Sequence, residues 1–121
     1  MKSTVSINKN HEFAHVYKKG KYYIGKYIIL HIVKGFPDSN RLGVTASRKV
    51  GKSVVRNRMR RLVKENYRFY EPYIFLGLRL VFVIRGVTSL PTYQDVNREM
   101  KSLFKRAGVL DVEKWEKRQS S

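Results

Sequence analysis

The segment from Val54 to Tyr70 constrains the fold more than any other part of this chain. At about 100° per residue, its apolar side chains share one face of a helix. That face consists of Val55, Met59, Leu62, Phe69 and Tyr70, with Val63 at its edge. Asn66 falls inside the same stripe, which the pattern alone does not explain. Because an apolar stripe must be buried against another element, the segment predicts a helix packed on a sheet.

The opposite face of this helix is basic. It carries Asn57, Arg60, Arg61, Lys64 and Arg68, with Arg56 and Arg58 at its boundary. Together with the cations that precede the helix, these residues form the predicted nucleic-acid-binding set, called the basic strip below: Arg48, Lys49, Lys52, Arg56, Asn57, Arg58, Arg60, Arg61, Lys64 and Arg68. Glu65 is the only acidic residue between Arg41 and Arg68.

Such a strip is electrostatically unfavourable by itself. The chain has 26 Lys and Arg against 9 Asp and Glu, a formal net charge of +17. Like charges four residues apart on a helix each cost about 0.2–0.5 kcal/mol, and Arg56/Arg60 and Lys64/Arg68 are such pairs. Phosphates remove this repulsion, and the predominance of arginine favours bidentate phosphate contacts. We therefore expect a polynucleotide partner, with Asn57 suited to a phosphate, a hydroxyl or a base edge.

The sequence predicts neither a membrane protein nor an exported one. The longest apolar stretch, Tyr27 to Val33, is interrupted by His31 and is too short to span a bilayer. Residues 1–10 contain no apolar signal region, and the chain has no cysteine for disulfides or thiolate metal sites. We expect a cytoplasmic protein.

The remaining periodicities predict an α+β sandwich, in the order α-β-β-α-β-α, with helices on one side of a sheet. The predicted elements are a helix at Asn8–Lys19 with Asn10 as a possible N-cap, strands at Tyr22–Lys34 and Arg41–Ser47, the helix at Val54–Tyr70, a strand at Leu78–Arg85, and a helix opened by Pro91 and Thr92 and closed by Gly108. We expect one domain over 1–121, with an ordered core at about 8–110 and a polar, loosely held tail at 111–121.

The first predicted strand is expected to place side chains alternately on two faces. Ile24, Ile28, Leu30 and Ile32 would share one face, and Tyr23, Tyr27, Ile29, His31 and Val33 the other. Rings of the second face, with Phe13 and Tyr17 on the first helix, could stack on unpaired bases. For most of these rings, burial in the core is the simpler explanation.

The run from Arg41 to Arg61 closely resembles the signature of the bacterial ribonuclease P protein family. It contains a strand glycine (Gly43), then Ser47-Arg48-Lys49, Gly51, and a helix that opens with Arg56-Asn57-Arg58. Element order and chain length also agree, so the resemblance covers Asn8 to Leu110. This sequence departs mildly from the family pattern at three positions. Where it has His31, the family often has an aromatic residue such as Tyr; where it has Ser53, usually Ala; and where it has Lys64, commonly Arg.

The resemblance implies a protein subunit that binds a catalytic RNA and the 5′ leader of precursor tRNA. Together, protein and RNA would remove the leader by magnesium-dependent phosphodiester hydrolysis. The Arg-Asn-Arg helix would contact the catalytic RNA. Phe13, Tyr17 and His31 match a leader cleft between the first helix, the helix at Val54 and the sheet. The implied fold is ribosomal-protein-like with a left-handed βαβ crossover. The polypeptide would carry no catalytic residues, metal or cofactor, magnesium would be held mainly by RNA, and no DNA partner is expected.

Several alternatives remain to be weighed. A ribosomal or assembly protein that binds RNA structurally would show the same charge. His11-Glu12-Phe13-Ala14-His15 matches the zinc-protease pattern, but position 21 is Lys and the next Glu is Glu65. Gly51-Lys52-Ser53 resembles the end of a nucleotide-binding loop whose first glycine would fall at Ala46. An independent metal-dependent nuclease would need clustered carboxylates, and the acids here are scattered.

Overall fold

The computed structural model describes residues 3–86 and 88–120. Met1, Lys2, Val87 and Ser121, which belong to the expected 1–121 domain, lie outside the described residues. The elements in chain order are β1 (Thr4–Ser6), α1 (Asn10–Lys19), β2 (Lys21–Ile24), β3 (Ile28–Lys34), β4 (Asn40–Thr45), α2 (Ser53–Tyr70), β5 (Leu78–Ile84), α3 (Tyr93–Ala107) and α4 (Val112–Ser120). The α+β class is as expected.

The strands form a five-stranded mixed sheet in the order β1-β4-β5-β3-β2. β4 and β5 are adjacent and parallel, and α2 connects them in a βαβ unit. β1 also runs parallel to β4, whereas β3 is antiparallel to both of its neighbours. β1 was not predicted and precedes the expected start of the core. Within the described residues, no helix is long and apolar enough to cross a membrane.

Helices cover both faces of the sheet, so the expectation of a single covered side was wrong. On one face, Ile28 and Leu30 of β3 belong to the main core with Met59 of α2 and Phe104 of α3. On the other face, Val16 of α1 is buried in a smaller cluster with Ile7, Val81 and neighbouring side chains. The central strands are apolar on both faces, which requires cover on both sides.

The predicted strand at Tyr22–Lys34 is in fact a hairpin, β2 followed by β3. The Glu99 carboxylate of α3 accepts hydrogen bonds from the backbone N–H groups of Lys26, Tyr27 and Ile28 at 2.8–3.2 Å. A Cβ at Gly25 would lie 2.6 Å from the Glu99 Cδ, so the glycine permits this approach. After the turn, each side chain points to the face opposite the one it would have in a continuous strand.

Three residues were therefore placed on the wrong face, and one of them, Ile24, pairs with Ile29 on the face of His31. Tyr23 and Tyr27 pack against the main core rather than beside His31. Tyr22 lies opposite His31 in the β2–β3 register and shares its face. A single-strand interpretation cannot give this result, because it keeps one alternation from residue 22 to residue 34.

Asn66, unexplained in the sequence, joins α2 to α3. Its side chain is buried and donates to the carbonyl oxygens of Leu62 and Tyr93 at 3.0 and 3.3 Å. Its Oδ1 accepts a hydrogen bond from the Asn97 side chain at 2.9 Å. Tyr67, absent from the predicted apolar stripe, is also buried, and its hydroxyl lies 2.8 Å from the Thr4 hydroxyl.

The helix ends agree only partly with expectation. Lys9, not Asn10, occupies the N-cap of α1, with no side-chain capping bond. At α3 the predicted capping signal is a true capping box between Thr92 and Asp95. Gly108 closes α3 in a left-handed conformation, with φ of 71°.

The expectation of a loosely held tail was wrong. α4 follows α3 closely, and Trp115 is only 7% exposed. Its indole ring contacts Phe69, Tyr70 and Tyr73, with ring centroids 5.8, 5.3 and 5.2 Å away. The composition of the tail is polar, but a single large ring is enough to bury one side of a short helix.

Candidate nucleic-acid interface

The first part of the basic strip lies between β4 and α2. A short 3-10 turn at Arg48–Val50 follows the strand, and buried Val50 anchors it to the core. Gly51 then adopts a φ of +148°, a conformation that favours glycine. Arg48, Lys49 and Lys52 are all exposed. The turn thus presents three cations at the point where α2 begins.

The second part of the strip lies on α2. Asn57, Arg58, Arg61, Lys64 and Arg68 are exposed, whereas Arg56 and Arg60 are half-buried. Arg60 donates to the Asn57 Oδ1 at 3.1 Å and to the Ala46 carbonyl oxygen at 3.4 Å. Among the described residues, the buried Arg56 Nε has no hydrogen-bond partner. The Arg60 guanidinium is therefore held close to the protein surface, whereas Arg56 is half-buried without a hydrogen bond at Nε.

The strip is scarcely neutralised by acids. Arg61 pairs with Glu65 at 3.1 Å, and both side chains are substantially exposed. Exposed pairs of this kind contribute less than about 1 kcal/mol. Within residues 3–86 and 88–120, no other member of the strip forms an ion pair with a carboxylate. The repulsion inferred from the sequence is therefore present in the fold.

The three predicted cleft residues lie together on the face of the sheet that α1 covers. α2 packs on the other face, so the expectation that the helix at Val54 also borders the cleft was wrong. The Phe13 and Tyr17 rings are stacked with centroids 6.5 Å apart. Tyr17 meets His31 edge-on, with centroids 4.9 Å apart and an angle of 79° between the planes. We call Phe13, Tyr17 and His31 the ring cluster. Tyr17 is 42% exposed, so the cluster is open to solvent.

The structure adds a fourth ring that the sequence analysis did not select. Tyr22 lies 5.8 Å from His31 between ring centroids and is 62% exposed. The signal that could have identified it is the Gly25-Lys26 pair, which marks a turn within the apparent strand.

His31 is half-buried between these rings. Burial lowers the pKa of its imidazole below the ordinary value. Its buried Nδ1 has no hydrogen-bond partner among the described residues. The lowered pKa favours the uncharged imidazole, whose ring can stack.

β4 connects the ring cluster to the start of the basic strip. Gly43 of β4 lies beneath Phe13, and Arg48 follows five residues later. Five residues of extended chain span at most about 17 Å. Arg48 at the start of the strip therefore lies within about 17 Å of Gly43, whereas α2 itself packs on the face opposite the rings.

The zinc-protease pattern has a structural role instead. The Glu12 carboxylate accepts two hydrogen bonds from the Arg41 guanidinium, at 2.8 and 3.1 Å. This interaction lowers the pKa of Glu12. His11 and His15 are exposed, and the described part of the chain contains no group of three potential metal-ligating side chains.

Comparisons with known proteins identify the family to which the chain is similar. Residues 1–108 match the family model described as Ribonuclease P. The ribonuclease P protein component of Clostridium botulinum (strain Langeland) is 44% identical over 104 residues, covering 85% of this chain and 94% of that protein. The component of Clostridioides difficile (strain 630) is 38% identical over 107 residues, covering 88% and 94%.

A solved structure gives the same result for the fold. The RNase P protein from Thermotoga maritima is similar, with a TM-score of 0.75, 28% identity, and coverage of 84% of this chain and 96% of that one. Since the family model spans most of the chain and the relatives exceed 30% identity, the chain belongs to the ribonuclease P protein family.

Proposed function

We propose that this protein is the protein subunit of a ribonuclease P that removes the 5′ leader from precursor tRNA. The basic strip would bind the catalytic RNA, and the ring cluster would bind the single-stranded leader. The protein would act in the cytoplasm, in contact with two RNAs at once.

One observation supports this proposal: the fold carries a solvent-open ring cluster in addition to the basic strip. A structural RNA-binding protein needs only the cations, which bind the phosphate backbone without regard to sequence. Rings open to solvent add base stacking, which requires unpaired nucleotides. The leader of a precursor tRNA is such a segment, whereas mature tRNA offers none at its 5′ end.

The polypeptide's own side chains do not suggest independent catalysis. Metal-dependent phosphodiester cleavage uses clustered carboxylates to hold the ions. In residues 3–86 and 88–120, no three potential metal ligands lie together. Glu12 is bonded to Arg41, and Glu99 to the hairpin turn. We therefore assign the hydrolysis and the magnesium mainly to the RNA, while the protein binds and orients the leader.

Reconstitution tests the proposal. The protein is mixed with a ribonuclease P RNA at low magnesium, and leader removal is measured with precursor tRNA. We expect cleavage that neither component supports alone under these conditions. Lack of stimulation with a cognate RNA would favour the structural alternative, and sequencing the RNA that co-purifies with the protein would then identify its true partner.

A further inference from the structure

Tyr22 occupies an edge position that continues the ring cluster. Pairing across the sheet places Gly43, Val81, His31 and Tyr22 in one row, from β4 through β5 and β3 to β2. β2 is the edge strand of the sheet that the described residues form, so none of their other strands covers Tyr22. With 62% of its surface exposed, the Tyr22 ring offers a face for stacking.

Burial in the core does not explain this tyrosine. Tyr23, the next residue, packs against the main core, whereas Tyr22 points to the opposite face. Its pairing with His31 supports the hairpin, but such a cross-strand pair contributes only about 0.2–1 kcal/mol. Most of the ring remains available to another molecule.

The end of β2 that follows Tyr22 carries exposed apolar area, and two cations bind its backbone. Ile24, two residues along β2, is 49% exposed on the same face. The Arg106 guanidinium is held on the Ile24 carbonyl oxygen at 3.1 Å, and Arg85 on that of Gly25 at 2.7 Å. The nearby Glu99 carboxylate is occupied by backbone N–H groups. Rings beside cations are typical of single-stranded nucleic-acid surfaces.

We propose that Tyr22 forms an additional base-stacking position, which extends the leader cleft across β3 to the edge of the sheet. This inference rests on the proposed function. It assigns to Tyr22 one unpaired nucleotide of the leader, next to the nucleotides on Tyr17 and His31. The consequence is a preference for leaders long enough to reach β2.

Binding to the reconstituted holoenzyme tests this position. Dissociation constants are measured for mature tRNA and for precursors with leaders of increasing length. Tyr22→Ala should weaken binding of long-leader precursors by about 5–10-fold, since one base stack is worth about 1 kcal/mol or more. Mature tRNA and the shortest leaders should bind unchanged, and Tyr22→Phe should retain the affinity. Phe75→Ala, at another half-exposed ring outside the sheet row, is the matched control.

A spectroscopic measurement gives an independent result. The fluorescent base 2-aminopurine is placed at successive leader positions, and stacking is detected as quenching on binding. One position should be quenched with the unchanged protein and with Tyr22→Phe, and recover fluorescence with Tyr22→Ala. The inference is overturned if Tyr22→Ala keeps both the leader-length dependence and every quenched position. If the unchanged holoenzyme does not distinguish precursor from mature tRNA, the proposed function itself fails.

Discussion

The Phe13 ring lies so close to Gly43 that no larger residue fits at that strand position. A Cβ at Gly43 would lie 2.5 Å from the Phe13 Cε1 and 2.9 Å from its Cζ. Gly43 has an ordinary negative φ, so space rather than backbone conformation requires the glycine here. The glycine of the signature thus sets the depth of the ring cluster on the sheet.

Gly43→Ala should displace Phe13 and weaken leader binding. Overpacking of this kind costs about 1–3 kcal/mol of unfolding free energy. We expect precursor tRNA to bind more weakly, so that its advantage over mature tRNA becomes smaller. Phe13→Ala should change binding in the same direction. Urea unfolding and precursor binding measure the two effects. Gly86→Ala is the control, because a Cβ there would meet only the Lys49 carbonyl oxygen at 3.7 Å. Normal leader affinity in Gly43→Ala would contradict the assigned role.

Arg58→Ala should weaken binding of the catalytic RNA and reduce its salt dependence. Arg58 is exposed and has no carboxylate partner among the described residues, so it is free to contact a phosphate. Loss of one phosphate contact lowers the slope of log K against log salt by about one. Arg56→Ala should behave similarly. Arg98→Ala on α3, whose guanidinium pairs with Asp95 at 2.8 Å, should leave the slope unchanged.

Acid should destabilise the protein through His31. Burial lowers the pKa of the folded imidazole below its unfolded value of about 6.5, so the unfolded state takes up the proton more readily. This contribution to stability is complete above pH 6.5 and is lost as the pH falls through the folded pKa. Urea unfolding from pH 8 to pH 5 should show a larger loss for the unchanged protein than for His31→Phe. Replacement of exposed His15 by Gln should not alter the profile.

Glu99→Gln should destabilise the β2–β3 hairpin. The carboxylate accepts bonds from three consecutive backbone N–H groups, and hydrogen bonds to a charged group are worth about 1.5–3 kcal/mol. Urea unfolding should reveal a loss of roughly that size, with faster hydrogen exchange at Lys26 to Ile28. Glu113→Gln on α4, where the side chain is exposed, provides the comparison. Unchanged exchange at the turn would mean that the hairpin does not depend on this carboxylate.

Trp115→Ala should show that α4 belongs to the folded core. Truncating a buried aromatic residue costs about 3–5 kcal/mol, and Trp115 contacts three other rings. Thermal unfolding should detect this loss, whereas Lys114→Ala at a neighbouring exposed position should change little. A loss under about 1 kcal/mol would support the loosely held tail predicted from composition. α4 lies beyond residues 1–108, which match the family model.

The sequence alone determined α2 and its basic strip. Helical periodicity is a property of neighbouring residues, so the apolar and basic faces between Val54 and Tyr70 follow from spacing alone. The same holds for the α3 capping box at Thr92 and its closing glycine, Gly108. Phe13, Tyr17 and His31 were identified by the family resemblance and not by periodicity. Only the fold shows that the three rings contact one another.

Only the tertiary structure decided which rings share a face and what the C-terminal segment contacts. Glu99, more than 70 residues from the turn it binds, converts one apparent strand into a hairpin and brings Tyr22 to His31. Trp115 is buried by rings that lie about 40 residues earlier in the chain. Both outcomes depend on contacts between residues distant in sequence, and no local pattern specifies such partners. For the hairpin this matters most, because a one-residue change of register reverses the direction of every side chain in a strand.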